Sequence, residues 1–292
     1  MSDVTVIGLG PMGAALAQTL LQNGQRVIVW NRTAAKTEPL TRAGAVPAED
    51  LASALTASPV IIISVSNYDV SKAILSTPEA RAALRGRLVV QLSTGAPHEA
   101  RASEAWMHAA NALYLDGAIF ALPDQIGAAD TTIFVSGETE AFGASRQLLG
   151  LFAGNVAYLG EAIGMAAALD CAMLSFLNAA IIGLIHGARI YEAEGLDIDA
   201  FGAMAASLAP VIGDEAKHLA DVIRTGKFGA PQASLATYAN SVERILAHAR
   251  DAGIDAAFPA FASRLFQQAT AAGFGGEEVA ALIKVLRGES QG

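Results

Sequence analysis

An apolar run, Val4–Leu9, breaks into Gly8-Leu9-Gly10-Pro11-Met12-Gly13, and an amphipathic stretch, Met12–Gln22, follows at once. A second apolar run, Gln25–Trp30, comes at the distance of a β-α-β unit. A G-x-G-x-x-G in that setting is the turn of a dinucleotide-binding fold, and few local patterns constrain a chain so tightly. Gly8 permits the tight turn. Gly10 lets the backbone approach a pyrophosphate seated on the helix N-terminus, and Gly13 lets the helix pack close to the strand.

The alternation continues. Further apolar runs are Val60–Val65, Leu88–Leu92, Leu113–Asp116, Thr131–Ser136 and Val156–Leu159, with helix-like segments such as His98–Ala110 among them. Strands alternating with helices predict a parallel sheet covered on both faces. From about residue 162 the pattern becomes helical, with breaks near Gly195-Leu196-Asp197, Gly226–Pro231 and Gly253–Asp255. The first helix of that half is expected over 162–194. The predicted organisation is therefore a cofactor domain over 1–161, an interdomain helix over 162–194 and a helical domain over 195–292.

The end of the second strand selects the cofactor. An NAD site places an acid there to accept from the ribose 2′-hydroxyl. This chain has Asn31-Arg32-Thr33, with Lys36 one helical turn on. A guanidinium, a hydroxyl and an ammonium suit a 2′-phosphate, so NADPH is expected. The expected cofactor set is Gly8, Leu9, Gly10, Pro11, Met12, Gly13, Asn31, Arg32, Thr33, Lys36, Val65, Ser66, Ser93 and Thr94.

Composition narrows the function classes. Charged residues make up 16% and hydrophobic ones 53% of 292, which excludes disorder as the main architecture. The net charge of −9 argues against a nucleic-acid partner. With Cys171 the only cysteine and five scattered histidines, no metal site is expected. Met1-Ser2-Asp3 lacks the positive flank of an export signal, and a cytoplasmic protein is expected. Mean hydropathy is high at +0.40. The apolar segment Cys171–Ile185 holds Ser175 and Asn178, follows Asp170, and is read as a core or interface helix rather than a membrane span.

Three further segments carry a family resemblance. Gln91-Leu92-Ser93-Thr94-Gly95-Ala96-Pro97 resembles the D-x-S-T-x-x-P motif of β-hydroxyacid dehydrogenases, and Asp116-Gly117-Ala118-Ile119 resembles their D-A-P-V. Gly164-Met165-Ala166-Ala167-Ala168-Leu169-Asp170 sits where they carry G-x-G-x-x-x-K with a catalytic lysine. The departures are Asp170 for the lysine, Phe120-Ala121-Leu122 for Ser-Gly-Gly, and Gln91 for the opening acid. These, with Val29-Trp30-Asn31-Arg32-Thr33 and Gly127, resemble a related branch, the NADPH-dependent imine reductases and reductive aminases. The resemblance implies a Rossmann domain, a long interdomain helix and an all-helical domain exchanged across a homodimer.

The chemistry of the substitution agrees with that branch. Reducing a carbonyl builds an alkoxide, which a lysine stabilises. Reducing an imine starts from an iminium cation, which an anionic Asp170 stabilises, or needs a proton, which a protonated Asp170 supplies. The expected substrates are imines, or a ketone plus an amine, with Asp170 catalytic. Phe120, Leu122, Met173, Leu177, Asn178 and Tyr238 are the candidate substrate-facing residues, Tyr238 reaching over from a partner subunit. A carbonyl reductase of the β-hydroxyacid type and a non-catalytic NADP-binding dimer are the competing readings.

Overall fold

The computed structural model describes residues 3–229 and 231–289. Met1 and Ser2, read above for an export signal, lie outside the described residues, as does Ala230 in the predicted break over 226–231. The chain divides into two compact units between Ser175 and Phe176.

The first unit is built on eight strands: β1 (Val4–Ile7), β2 (Val27–Trp30), β3 (Val46–Pro47), β4 (Val60–Ile63), β5 (Leu88–Gln91), β6 (Leu113–Phe120), β7 (Thr132–Gly137) and β8 (Asn155–Tyr158). Their spatial order is 3-2-1-4-5-6-7-8. Seven helices join them: α1 (Pro11–Gln22), α2 (Glu38–Arg42), α3 (Leu51–Ala57), α4 (Tyr68–Leu75), α5 (Pro78–Ala83), α6 (Pro97–Ala109) and α7 (Thr139–Phe152). The strand order reverses between β1 and β4, and ligands of doubly wound sheets bind outside the carboxyl ends at that point.

Alternating side chains fill both faces of the sheet. Val4 and Val6 of β1 join Leu16 and Leu20 of α1 on one face. Ile7, Ile61 and Ile63 join Leu75 and Tyr114 on the other. Each such fully buried aliphatic side chain contributes roughly 1.5–3 kcal/mol relative to exposure.

One pairing departs from the parallel direction of the rest of the sheet. β6 and β7 pair antiparallel, with Ile119 opposite Ile133, and β8 runs parallel to β7. Residues 121–131 between them hold only the short 3₁₀ turn Pro123–Gln125. A parallel pair needs a crossover of about a dozen residues or more, usually helical, so the chain folds back instead.

A long helix, α8 (Met165–Ala193), crosses the division between the units. Gly164 precedes it with φ +89° and Gly195 follows it with φ +69°, the backbone that glycine adopts most readily. The second unit continues through α9 (Ile198–Ser207), α10 (Ala209–Thr225), α11 (Leu235–Asp251), α12 (Ala257–Ala269) and α13 (Leu282–Leu286). Its core gathers Val222, Leu235, Phe274 and Ala281, with the Lys284 ammonium over the Phe228 and Phe274 rings.

Candidate active site

Two of the three glycines in the loop after β1 admit no other residue type. Gly8 has φ +90°, and a Cβ there would overlap the Ser64 carbonyl. A Cβ on Gly13 would overlap the Gly8 carbonyl. At Gly10, by contrast, a Cβ would meet nothing within 4 Å, so the backbone opens onto a groove. Pro11 starts α1, and no side chain caps that helix. Its first amides are left for an anion, whose charge also suits the helix dipole.

That groove has a volume of about 390 Å³. It brings together Gly8, Leu9, Gly10, Pro11, Met12 and Gly13 with Asn31, Arg32, Thr33 and Lys36, and with Val65 and Ser66. Asn31 braces the loop: its Oδ1 accepts from the Leu9 amide at 3.0 Å and its Nδ2 donates to the Thr33 carbonyl at 3.0 Å. Arg32, Thr33 and Lys36 remain exposed at the groove's edge. Cationic and hydroxyl groups there fit a 2′-phosphate, and the opening at Gly10 fits a pyrophosphate.

A second cavity of about 250 Å³ shares Met12, Ser64 and Val65 with the groove. Ser93 and Thr94 line it, and Ser93 Oγ accepts from the Val65 amide at 2.9 Å, tying β5 to β4. Asp170, in the second turn of α8, is the one ionisable group among its walls. Burial lifts the Asp170 carboxyl above its ordinary value.

The substrate-facing residues are less concentrated. Ile119 and Ala121 line the cavity, while Phe120 and Leu122 do not. Phe120 turns edge-on to Phe134, ring centroids 5.5 Å apart, and Leu122 is 65% exposed where its amide closes a turn with Gln125. Met173 is exposed and forms no wall of the cavity. Leu177, Asn178 and Tyr238 belong to the second unit, where Tyr238 stacks on Phe266 and lines a groove with His218 and Glu278.

Three comparisons with known proteins bear on this arrangement. Residues 3–160 match the NAD binding domain of 6-phosphogluconate dehydrogenase, and residues 162–288 match the NADPH-dependent reductive aminase-like C-terminal domain. The chain is 30% identical to an NADPH-dependent reductive aminase of Aspergillus oryzae, over 97% of each chain. The chain belongs to the imine reductase and reductive aminase family. Among solved structures, an imine reductase from Myxococcus stipitatus in complex with NADP+ superposes with a TM-score of 0.93 at 33% identity, covering 97% of this chain and 99% of that one. A reductive aminase from Aspergillus terreus, in complex with NADPH4, cyclohexanone and allyl amine, gives 0.91 at 30%, covering 98% and 99%.

One part of this imine reductase site escapes sequence reasoning. Behind the cavity, Asp116 of β6 is buried, and the Tyr68 hydroxyl of α4 donates to its Oδ1. Burial pushes the Asp116 carboxyl up to about 6, opposed by the hydrogen bond from Tyr68 and by the Ala167 amide at the start of α8. Gln91, opposite Asp116 in the β5–β6 register, donates from Nε2 to Ser71 Oγ at 2.9 Å. A neutral amide at 91 avoids two buried carboxylates side by side. Gly95 admits the Tyr68 ring, which a Cβ there would overlap. The sequence signals Asp116 and Gly95 by motif, but Tyr68 lies on a different element and carries no periodic signature.

Proposed function

We propose that this protein reduces the C=N bond of imines and iminium ions with NADPH, and accepts a ketone with an amine as an equivalent substrate. NADPH, when bound, supplies the hydride. Gly8 to Gly13 and the open N-terminus of α1 hold its pyrophosphate, and Arg32, Thr33 and Lys36 its 2′-phosphate. Val65, Ser66, Ser93 and Thr94 extend the cofactor site toward the second cavity.

The observation that carries the reading is Asp170. An acid stands at the cavity wall where a carbonyl reductase of the neighbouring branch resembled above has a lysine. As a carboxylate it pairs with an iminium cation, an attraction of about 4 kcal/mol at ~4 Å and an effective dielectric near 20, before desolvation. Its raised pKa also holds the protonated form to higher pH, and that form gives a proton to the nitrogen of a neutral imine. Asp170→Asn is expected to lower turnover on a pre-formed cyclic imine by at least roughly 100-fold. NADPH affinity, measured by fluorescence titration, should stay within about twofold, because the groove lies on other elements. Near-normal turnover in this variant would remove the role.

We further infer that a second copy of this chain completes the site. In the single chain much of α8 beyond its second turn is exposed, Phe176, Ile182 and Ile185 among it, and Met204, Val211 and Ile212 extend the apolar surface. An 18-residue window of α8 has a mean hydropathy of 1.9, which by length and composition alone would let it cross a membrane. The segment's Ser175 and Asn178, and Asp170 just before it, favour a helix covered by protein over a membrane span. Soluble monomers rarely leave so large an apolar surface open. On this reading 1–161 binds cofactor, 162–194 connects, and 195–292 pairs, bringing Met173, Leu177, Asn178 and Tyr238 to the substrate together with Phe120 and Leu122. The cytoplasm is the proposed location.

A further inference from the structure

We propose that Ser136 is a positioning residue for the reduction: its hydroxyl caps α8 from strand β7 and so fixes where on the cavity wall Asp170 is presented. The inference rests on the catalytic reading of Asp170 given above.

The start of α8 brings no side-chain cap of its own. Gly164 precedes Met165 and offers no acceptor to the amides of the first turn, which an α-helix leaves without internal partners. The amide of the second helical residue, here Ala166, is one that a cap ordinarily satisfies. Ala166 is fully buried, so water does not take that place. Ser136 Oγ does, accepting from the Ala166 amide at 3.1 Å. Ser136 is itself fully buried, one residue before the end of its strand. The strand end is fixed in turn: the Gly137 amide donates to the Gly160 carbonyl at 3.1 Å, and the Gly137 carbonyl accepts from the Tyr158 hydroxyl at 2.8 Å.

A cap from the residue just ahead of a helix holds only the helix's own end. A cap from β7 ties the helix to the sheet that builds the cavity. Gly117 and Ala118 of β6 line that cavity with Asp170, and they pair with Val135 and Phe134, the two residues before Ser136. Asp170 follows Ala166 by four positions, so it stands on the same face of α8 one turn on. Two further contacts hold that turn. Cys171 Sγ donates to the Gly95 carbonyl at 3.7 Å, beside the Ser93 and Thr94 that line the cavity. Gly164 passes so close to α6 that an added Cβ would come within 3.0 Å of the Pro97 carbonyl. The Ser136 bond is buried and the Cys171 contact exposed. A buried amide stripped of its acceptor is costly, and α8 turns or shifts to find it another. Displacing a catalytic group by about 1 Å can cost roughly 100-fold in rate.

The test is a double-mutant cycle on kcat with a pre-formed cyclic imine, using Ser136→Ala, Asp170→Asn and the two combined. Ser136→Ala should lower kcat roughly 10- to 100-fold when Asp170 is present. NADPH affinity, by fluorescence titration, should stay within about twofold, because Ser136 lies outside the cofactor groove. In the Asp170→Asn background the same substitution should change kcat by less than about twofold, since no acid is left to position. A comparable fall in both backgrounds, or no fall with Asp170 present, overturns the proposal and leaves Ser136 a stabilising cap. Near-normal turnover of Asp170→Asn overturns instead the reading of Asp170. If Ser136→Ala does not fold, Ser136→Cys, close in size but a weak acceptor, takes its place in the cycle.

Discussion

Arg32 stands at the open edge of the cofactor groove, where an NAD-binding chain would present an acid. Loss of one charge-assisted contact to a 2′-phosphate should raise the NADPH Michaelis constant of Arg32→Ala roughly 10- to 150-fold, with NADH little affected. Steady-state kinetics with both cofactors checks this. Asp116 makes a different kind of prediction. Its folded value of about 6 lies above the ordinary 3.8, so its stabilising contribution is complete below about pH 4 and is lost as pH rises through 6. The difference amounts to about 3 kcal/mol. The stability of wild type relative to Asp116→Asn, measured by denaturant unfolding, should fall by about that amount between pH 4 and pH 8. A difference independent of pH would mean that Asp116 is not buried as a titrating acid. Single residues such as Asp170 and Arg32 are legible in the sequence because each replaces an expected residue of opposite charge within a local motif. Tyr68, on helix α4, is not, because its meaning comes from a partner on strand β6.

Elements are legible where their causes are local. The strand–glycine–helix unit at residues 4–22 declares itself through three glycines whose Cβ positions are blocked or open in distinct ways. Gly13→Ala places a methyl against the Gly8 carbonyl, and backbone on both sides must shift. The expected cost is about 1–3 kcal/mol of stability, together with weakened NADPH binding, both measurable by thermal unfolding with and without cofactor. An unchanged protein would mean that α1 does not seat on the loop as described. The two-residue strand β3, Val46–Pro47, has no alternation to betray it, and its pairing to β2 is decided by tertiary packing. The antiparallel turn of β7 was hidden for a related reason. Its hydrophobic pattern does not encode direction, which the short connection 121–131 imposes. The ends of α8, Met165 and Ala193, are set by local punctuation, since Gly164 and Gly195 flank it.

At the scale of the whole molecule, the exposed apolar residues of α8 to α10 and the scattered substrate residues call for the same partner. Replacing Ile185, 65% exposed in the single chain, by glutamate should shift the protein toward monomer in sedimentation velocity and lower turnover with it. An active, stable monomer would remove the dimer from the account. Substrate residues were the least legible part, since Phe120 and Leu122 were assigned by position in a motif, while side-chain packing turned Phe120 onto Phe134. On the proposed reading, the acid at position 170 commits the molecule to C=N rather than C=O chemistry. The most direct measurement is kcat/KM for NADPH oxidation by the wild-type protein with 2-methylpyrroline, against glyoxylate and succinic semialdehyde under the same conditions. Efficient turnover of the imine is expected, with at least about 100-fold less for either aldehyde, from the missing stabilisation of the alkoxide. Preferred reduction of the aldehydes, with no activity on the imine, would contradict it.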